Sequence, residues 1–214
     1  MNSAPAAASS PSFLAHARAK LSLAPESSAR MRGDDHVVNQ HESEFASALA
    51  DAKPAAVLVG LIERPEGTTV LLTERATHLR SHSGQVAFPG GKIDPDDNGP
   101  IAAALREAEE EIGLARAHVE PFGLLDPYLS GSGYCIVPVV AEIHAPFDLV
   151  VNHHEVAGVF ETPFAFVMNP ANHQRQSREW KGVIRHFYAM PWENKYIWGV
   201  TAGILRNLYE RLYV

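Results

Sequence analysis

The sequence predicts an α/β protein in which a mixed β-sheet lies between helices. Three observations carry that expectation. Apolar runs of strand length, at residues 57–62, 70–73, 136–143 and 156–161, are bounded by turn-forming residues. Two longer segments, 100–112 and 196–212, repeat their apolar residues at helical spacing instead. Strands and helices then follow one another along a chain with no internal repeat, the order expected when helices cover a sheet.

Taken in order, residues 13–23 read as a short helix, 30–41 as a polar loop and 42–52 as a helix-prone stretch. The strands at 57–62 and 70–73 are separated by the turn Pro65-Glu66-Gly67. Residues 85–88 form a short extended piece leading into Gly90-Gly91. In the helix that follows, Ile101, Leu105, Ala108 and Ile112 make an apolar stripe. Asn98 or Gly99 caps its start, Pro100 suits the first helical position, and Gly113 supplies a left-handed stop. Strands at 122–125 and 136–143 flank a Ser130-Gly131-Ser132-Gly133 turn region. A strand at 156–161, a short helix at 163–168, a strand at 183–188 and the amphipathic helix at 196–212 complete the chain. Residues 1–35 read as a partly flexible N-terminal arm and 36–214 as one domain.

The bulk properties narrow the class. At 214 residues the chain can bury a sizeable core, and its hydrophobic content of 46% is that of a globular protein. A net charge of −7 disfavours nucleic-acid backbones and anionic membranes as partners. It does not disfavour a phosphorylated small molecule, because a bound cation can reverse the local field. No apolar run is long enough to span a bilayer, and the start lacks the pattern of a signal peptide. The lone Cys135 has no partner for an internal disulfide and reads as a buried small hydrophobe, which fits a cytoplasmic location.

Chemistry concentrates at residues 106–114, Arg-Glu-Ala-Glu-Glu-Glu-Ile-Gly-Leu. Helical spacing puts Glu107, Glu110 and Glu111 on one face, where like charges repel. A hard divalent cation would reverse that cost while keeping coordination sites for water and phosphate. A merely solvated acidic face would need neither the paired glycines before the carboxylates nor the glycine stop after them. Arg106, four before Glu110, can aim that carboxylate.

From Gly91 to Leu114 the chain resembles the Nudix box, with Arg106, Glu107, Glu110, Glu111, Gly113 and Leu114 matching position by position. Ala108 is smaller than the usual aliphatic, and the loop before Arg106 is one residue longer, so the spaced acidic position falls at Asp97 or Asn98. Residues 71–75, 79–94 and 197–205 are similar to the coenzyme A pyrophosphatase branch, which carries that longer loop. The resemblance implies a Nudix α/β/α sandwich and metal-dependent hydrolysis of a diphosphate linked to another group. Coenzyme A or a derivative is the implied substrate, with Mg2+ or Mn2+ as cofactor. It also implies that a carbonyl of the glycine loop, with Gly91 the candidate, joins the metal shell, and that a homodimer is common.

Other residues are candidates for supporting roles. Glu155, opening the strand at 156, could supply a further catalytic carboxylate, with Glu161 as runner-up. Arg75, Arg80 and His82 flank the box and could bind substrate phosphates, the arginines through their forked donors. His153-His154 is not read as a metal site, since neighbours on a strand point to opposite faces. Two alternatives to coenzyme A hydrolysis stand beside it: the same chemistry on another nucleoside diphosphate derivative, and a non-catalytic ligand-sensing module. The intact glutamates argue against the sensor.

Overall fold

The protein is described by a computed structural model covering residues 13–24, 30–33, 42–79, 82–180 and 182–214. Arg80 therefore lies outside the described residues. Helix α1 (Phe13–Lys20), the short β1 (Arg32–Gly33), which joins the main sheet by pairing with Tyr128–Leu129, and α2 (Glu42–Ala50) come first along the chain. That sheet is built on β2 (Lys53–Arg64) and β3 (Gly67–Arg75), followed by β4 (Val86–Ala87) and β5 (Gly90–Lys92). Helix α3 (Gly99–Ile112) leads to β6 (Val119–Leu124), β7 (Tyr128–Leu129), β8 (Tyr134–Ile143) and β9 (Val156–Pro163). The chain closes with α4 (Phe164–Val167), β10 (Gln174–Trp180), β11 (Val183–Trp192), β12 (Lys195–Trp198) and α5 (Gly199–Tyr213).

The sheet is mixed, as expected. β2 runs parallel to β8, from Lys53 opposite Tyr134 to Leu61 opposite Glu142. β3 returns antiparallel to β2 and is joined by β4 and β9, also antiparallel. The early part of β2 is free of β3 and instead pairs with β5, setting Ala56 opposite Gly91 and Val57 opposite Gly90. This pairing fixes the glycine loop to the centre of the sheet.

Alternation along β2 divides the core between the two faces. Val59 and Leu61 join Leu205 and Leu208 of α5 in one cluster. Ala56, Leu58 and Ile62 join Ala104, Ala108 and Ile112 of α3 in the other. The sheet is thus sandwiched, α5 on one side and α3 on the other. Helix α1 lies with the α5 layer: Leu14, Ala17 and Leu21 are buried in that cluster. Arg18 ties it to the sheet through Glu120 at 2.7 Å and Glu142 at 2.6 Å.

Three sequence expectations need correction. The closing helix begins at Gly199, not at 196, because Lys195–Trp198 pair with β11 and Gly199 then turns at φ +60°. β10 is absent from the sequence expectation because Gln-Arg-Gln-Ser-Arg-Glu-Trp offers no apolar alternation; its register against β11 supplies the order instead. Cys135 is half-buried, not buried, and desolvation raises its thiol pKa. Among the described residues, no helix is long and apolar enough to cross a membrane.

Candidate active site

The candidate site forms where β5 meets α3. Pro100 sits in the first turn of α3, and Gly113 ends it in the left-handed region at φ 68°. Asn98 occupies the N-cap position without a side-chain cap bond. Between these ends the helix turns Ala103, Ala104, Ala108 and Ile112 into the core, and Glu111 with them. Small alanines let the helix lie close to the sheet, which brings its carboxylates against the glycine loop.

Two glycines receive two glutamates. The backbone N–H of Gly90 donates to Glu111 Oε2 at 3.1 Å. A Cβ at Gly91 would collide with the Glu107 carboxylate, so only glycine leaves that group its position. Glu111 is 3% exposed, an unusual setting for a carboxylate without a cation beside it. Burial pushes its pKa up to about 7, with Glu107 and Glu155 adding repulsion against the Gly90 bond and the Arg75 charge. Glu107 is likewise raised by burial, against the pull of Arg106.

Arg106 organises the rest. Its Nε and Nη2 hold Asp97 at 3.1 and 2.8 Å, and Nη2 also donates to the Lys92 carbonyl at 3.0 Å. Its Nη1 reaches Glu107 at 3.0 Å and Glu110 at 3.1 Å. Asp97 in turn accepts from the Asp94 N–H at 2.9 Å, closing the loop on itself. The guanidinium beside Asp97 holds its carboxyl below the ordinary range. Sequence reasoning gave Asp97 no role; the signal was its fit to the spaced acidic position of the box.

The predicted supporting residues divide. Glu155 is exposed at the start of β9, accepts from Asn152 Nδ2 at 3.1 Å, and its charge bears on both Glu107 and Glu111. Arg75 is half-buried, its charge also bears on Glu111, and its Nε has no hydrogen-bond partner. Glu161 is held elsewhere, by Arg64 at 2.6 Å and Thr69 at 2.5 Å. His82 is exposed in a left-handed turn, its Nδ1 2.9 Å from Gln85 Oε1.

The donor set suits a hard cation: carboxylate oxygens, two of them desolvated, beside a loop without side chains. Glu110, with its side chain 56% exposed, faces Arg106 here and is the least enclosed of the three. A tighter oxygen and nitrogen cluster lies elsewhere, at Glu120, Glu142 and His144, but Arg18 already pairs with both of its carboxylates.

Comparison with known proteins shows the family. The NUDIX domain model matches residues 52–181. The chain is 44% identical over 165 residues to the uncharacterized Nudix hydrolase NudL of Yersinia pestis (strain Pestoides F), covering 77% of this chain and 82% of the relative. The same figures hold for NudL of Yersinia pseudotuberculosis serotype O:1b. Among solved structures, the Nudix hydrolase RenU from M. Smegmatis is similar over 53% of this chain and 71% of its own, at 26% identity and a TM-score of 0.46. The chain belongs to the Nudix hydrolase family, enzymes that act on phosphoric anhydrides.

Proposed function

We propose that the protein hydrolyses the diphosphate of coenzyme A or an acylated derivative, releasing 3′,5′-adenosine diphosphate and the corresponding 4′-phosphopantetheine. The reading rests on the family membership together with the segment from Leu71 to Gly91, whose pattern is similar to the coenzyme A branch. The observation that carries the chemistry is the pair of desolvated carboxylates, Glu107 and Glu111, set against Gly90 and Gly91.

A Mg2+ or Mn2+ ion held by Glu107, Glu110 and Glu111, with the Gly91 carbonyl as a further ligand, would neutralise diphosphate oxygens and lower the pKa of a bound water. The protein's own groups then divide the remaining tasks. Gly90 and Gly91 let substrate phosphates approach backbone. Arg106 keeps Glu107 and Glu110 oriented while Asp97 anchors it. Glu155, exposed and close enough to repel Glu107 and Glu111, is the candidate to accept the proton of the attacking water. Arg75, Arg80 and His82 are the candidates for substrate phosphates, with Arg75 the one whose charge reaches the carboxylates.

The test is a substrate panel with products identified by mass, run with and without magnesium. Coenzyme A, dephospho-coenzyme A, a nucleotide sugar, a dinucleotide and a nucleoside triphosphate form the panel. Magnesium-dependent release of 4′-phosphopantetheine from coenzyme A is expected. Turnover of a nucleotide sugar with none of coenzyme A would replace the substrate and keep the site.

A further inference from the structure

On the opposite face of the sheet from the carboxylate helix, a cavity of about 280 Å3 opens between α5, β1, β7 and the β10–β11 ribbon. Its volume is near the lower end for small-molecule sites. Its lining is unlike the rest of this acidic chain. Arg32, Arg175 and Arg206 border it together with His186, and Glu210 is the one carboxylate among the lining residues. Arg206 and Arg32 both hold Glu210, at 2.7 Å each, so that acid is neutralised within the wall.

The register of the ribbon builds one side. Arg175 stands opposite Tyr188, and Ser177 opposite His186. Period-two alternation puts these four side chains on one face of the ribbon. The Tyr188 ring lies 5.5 Å from the Arg206 guanidinium carbon, a cation stacked on an aromatic face. On α5, Gly203 leaves room for the Tyr128 ring, whose hydroxyl a Cβ would meet at 2.6 Å.

Asn207 lines the cavity and is 2% exposed. Its Nδ2 donates to the Asp126 carbonyl at 3.2 Å, whereas its Oδ1 has no partner. That oxygen is shielded from solvent within the wall. Guanidiniums match phosphate oxygens, and aromatic faces match a planar ring.

We propose that this cavity is a second ligand site, distinct from the Nudix box, that takes a phosphorylated planar molecule of the nucleoside monophosphate class. Arginines of the wall receive the phosphate, and Tyr188 stacks against the ring. None of these residues belongs to the box, so the site and the hydrolytic chemistry are separable.

Binding of adenosine 5′-monophosphate to the full chain, followed by calorimetry in excess chelator, tests this. Chelator removes cation-dependent phosphate binding at the box. The wild type is expected to bind saturably. Arg175→Glu and Tyr188→Leu should each weaken binding at least about tenfold, the scale of one charge-assisted hydrogen bond. Glu111→Gln should leave it unchanged, and both cavity variants should keep magnesium-dependent turnover. Arg175→Gln replaces Arg175→Glu if the latter lacks a native melting transition. No saturable binding by the wild type overturns the proposal, as does binding lost in Glu111→Gln but kept in the cavity variants.

Discussion

At the scale of single residues, Gly90 and Gly91 look alike in sequence but are required for different reasons. Gly90 has φ +155°, and a Cβ there would press on the backbone of Ala56 and Val57. Gly91 has an ordinary backbone, and the nearest atoms its Cβ would meet are those of the Glu107 carboxylate. Gly90→Ala is therefore expected to lower the melting temperature, because strain falls on the sheet itself. Gly91→Ala should melt close to wild type and lose most of its turnover, because it moves a carboxylate and not the chain. Melting curves and turnover for the pair check this; a Gly91→Ala protein of normal activity removes that loop from the site. Glu111→Gln keeps shape and can still accept from Gly90, so folding should survive. Its turnover should fall by at least ~100-fold, the scale of losing a principal electrostatic stabiliser. Steady-state rates at saturating magnesium measure it.

At the scale of elements, α3 is positioned at both ends by interactions of different reach. Gly113 ends it locally, whereas Arg106 reaches back to Asp97 in the preceding loop. Asp97→Asn keeps the size but removes the charge that anchors Arg106, leaving the guanidinium to pull on Glu107 and Glu110. The magnesium concentration for half-maximal activity should rise about 10-fold or more, as when an outer-shell partner of a metal ligand is lost. A magnesium titration of both proteins decides it, and an unchanged midpoint would sink the anchoring role. This element also shows what the sequence made legible. The box glutamates, the glycine pair and the helix stop are contiguous and act through local spacing, so they could be read directly. Asp97 could not be assigned, because its function is a contact made across a loop. β10 could not be read because its order comes from pairing with β11, and β12 was merged with the helix that follows it. Arg75 and Glu155 were readable as residue types, but the nearness of their charges to Glu111 is a product of strand pairing.

At the scale of the whole molecule, buried carboxylates couple the site to stability. Folding moves the pKa of Glu111 from 4.5 up to about 7, and raises Glu107 in the same direction. A raised carboxylate binds more protons in the folded state, so stability from this source is full below about pH 4.5 and is lost as pH rises through about 7. A tenfold difference in proton affinity between the folded and unfolded chain corresponds to about 1.4 kcal/mol, a large share of a domain's net stability. His173 acts oppositely: burial lowers its pKa below 6.5, so its contribution grows as pH rises towards that value. Comparing the wild type with Glu111→Gln cancels His173, which is common to both. In chelator, the variant should therefore gain on the wild type in urea midpoint as pH is raised from 5 to 8. Saturating magnesium should shrink that gain, because the cation favours the ionised carboxylate that burial disfavours. A difference independent of pH in chelator would show that Glu111 is ionised in the folded protein without a cation, and the site would then have to be solvated by another route.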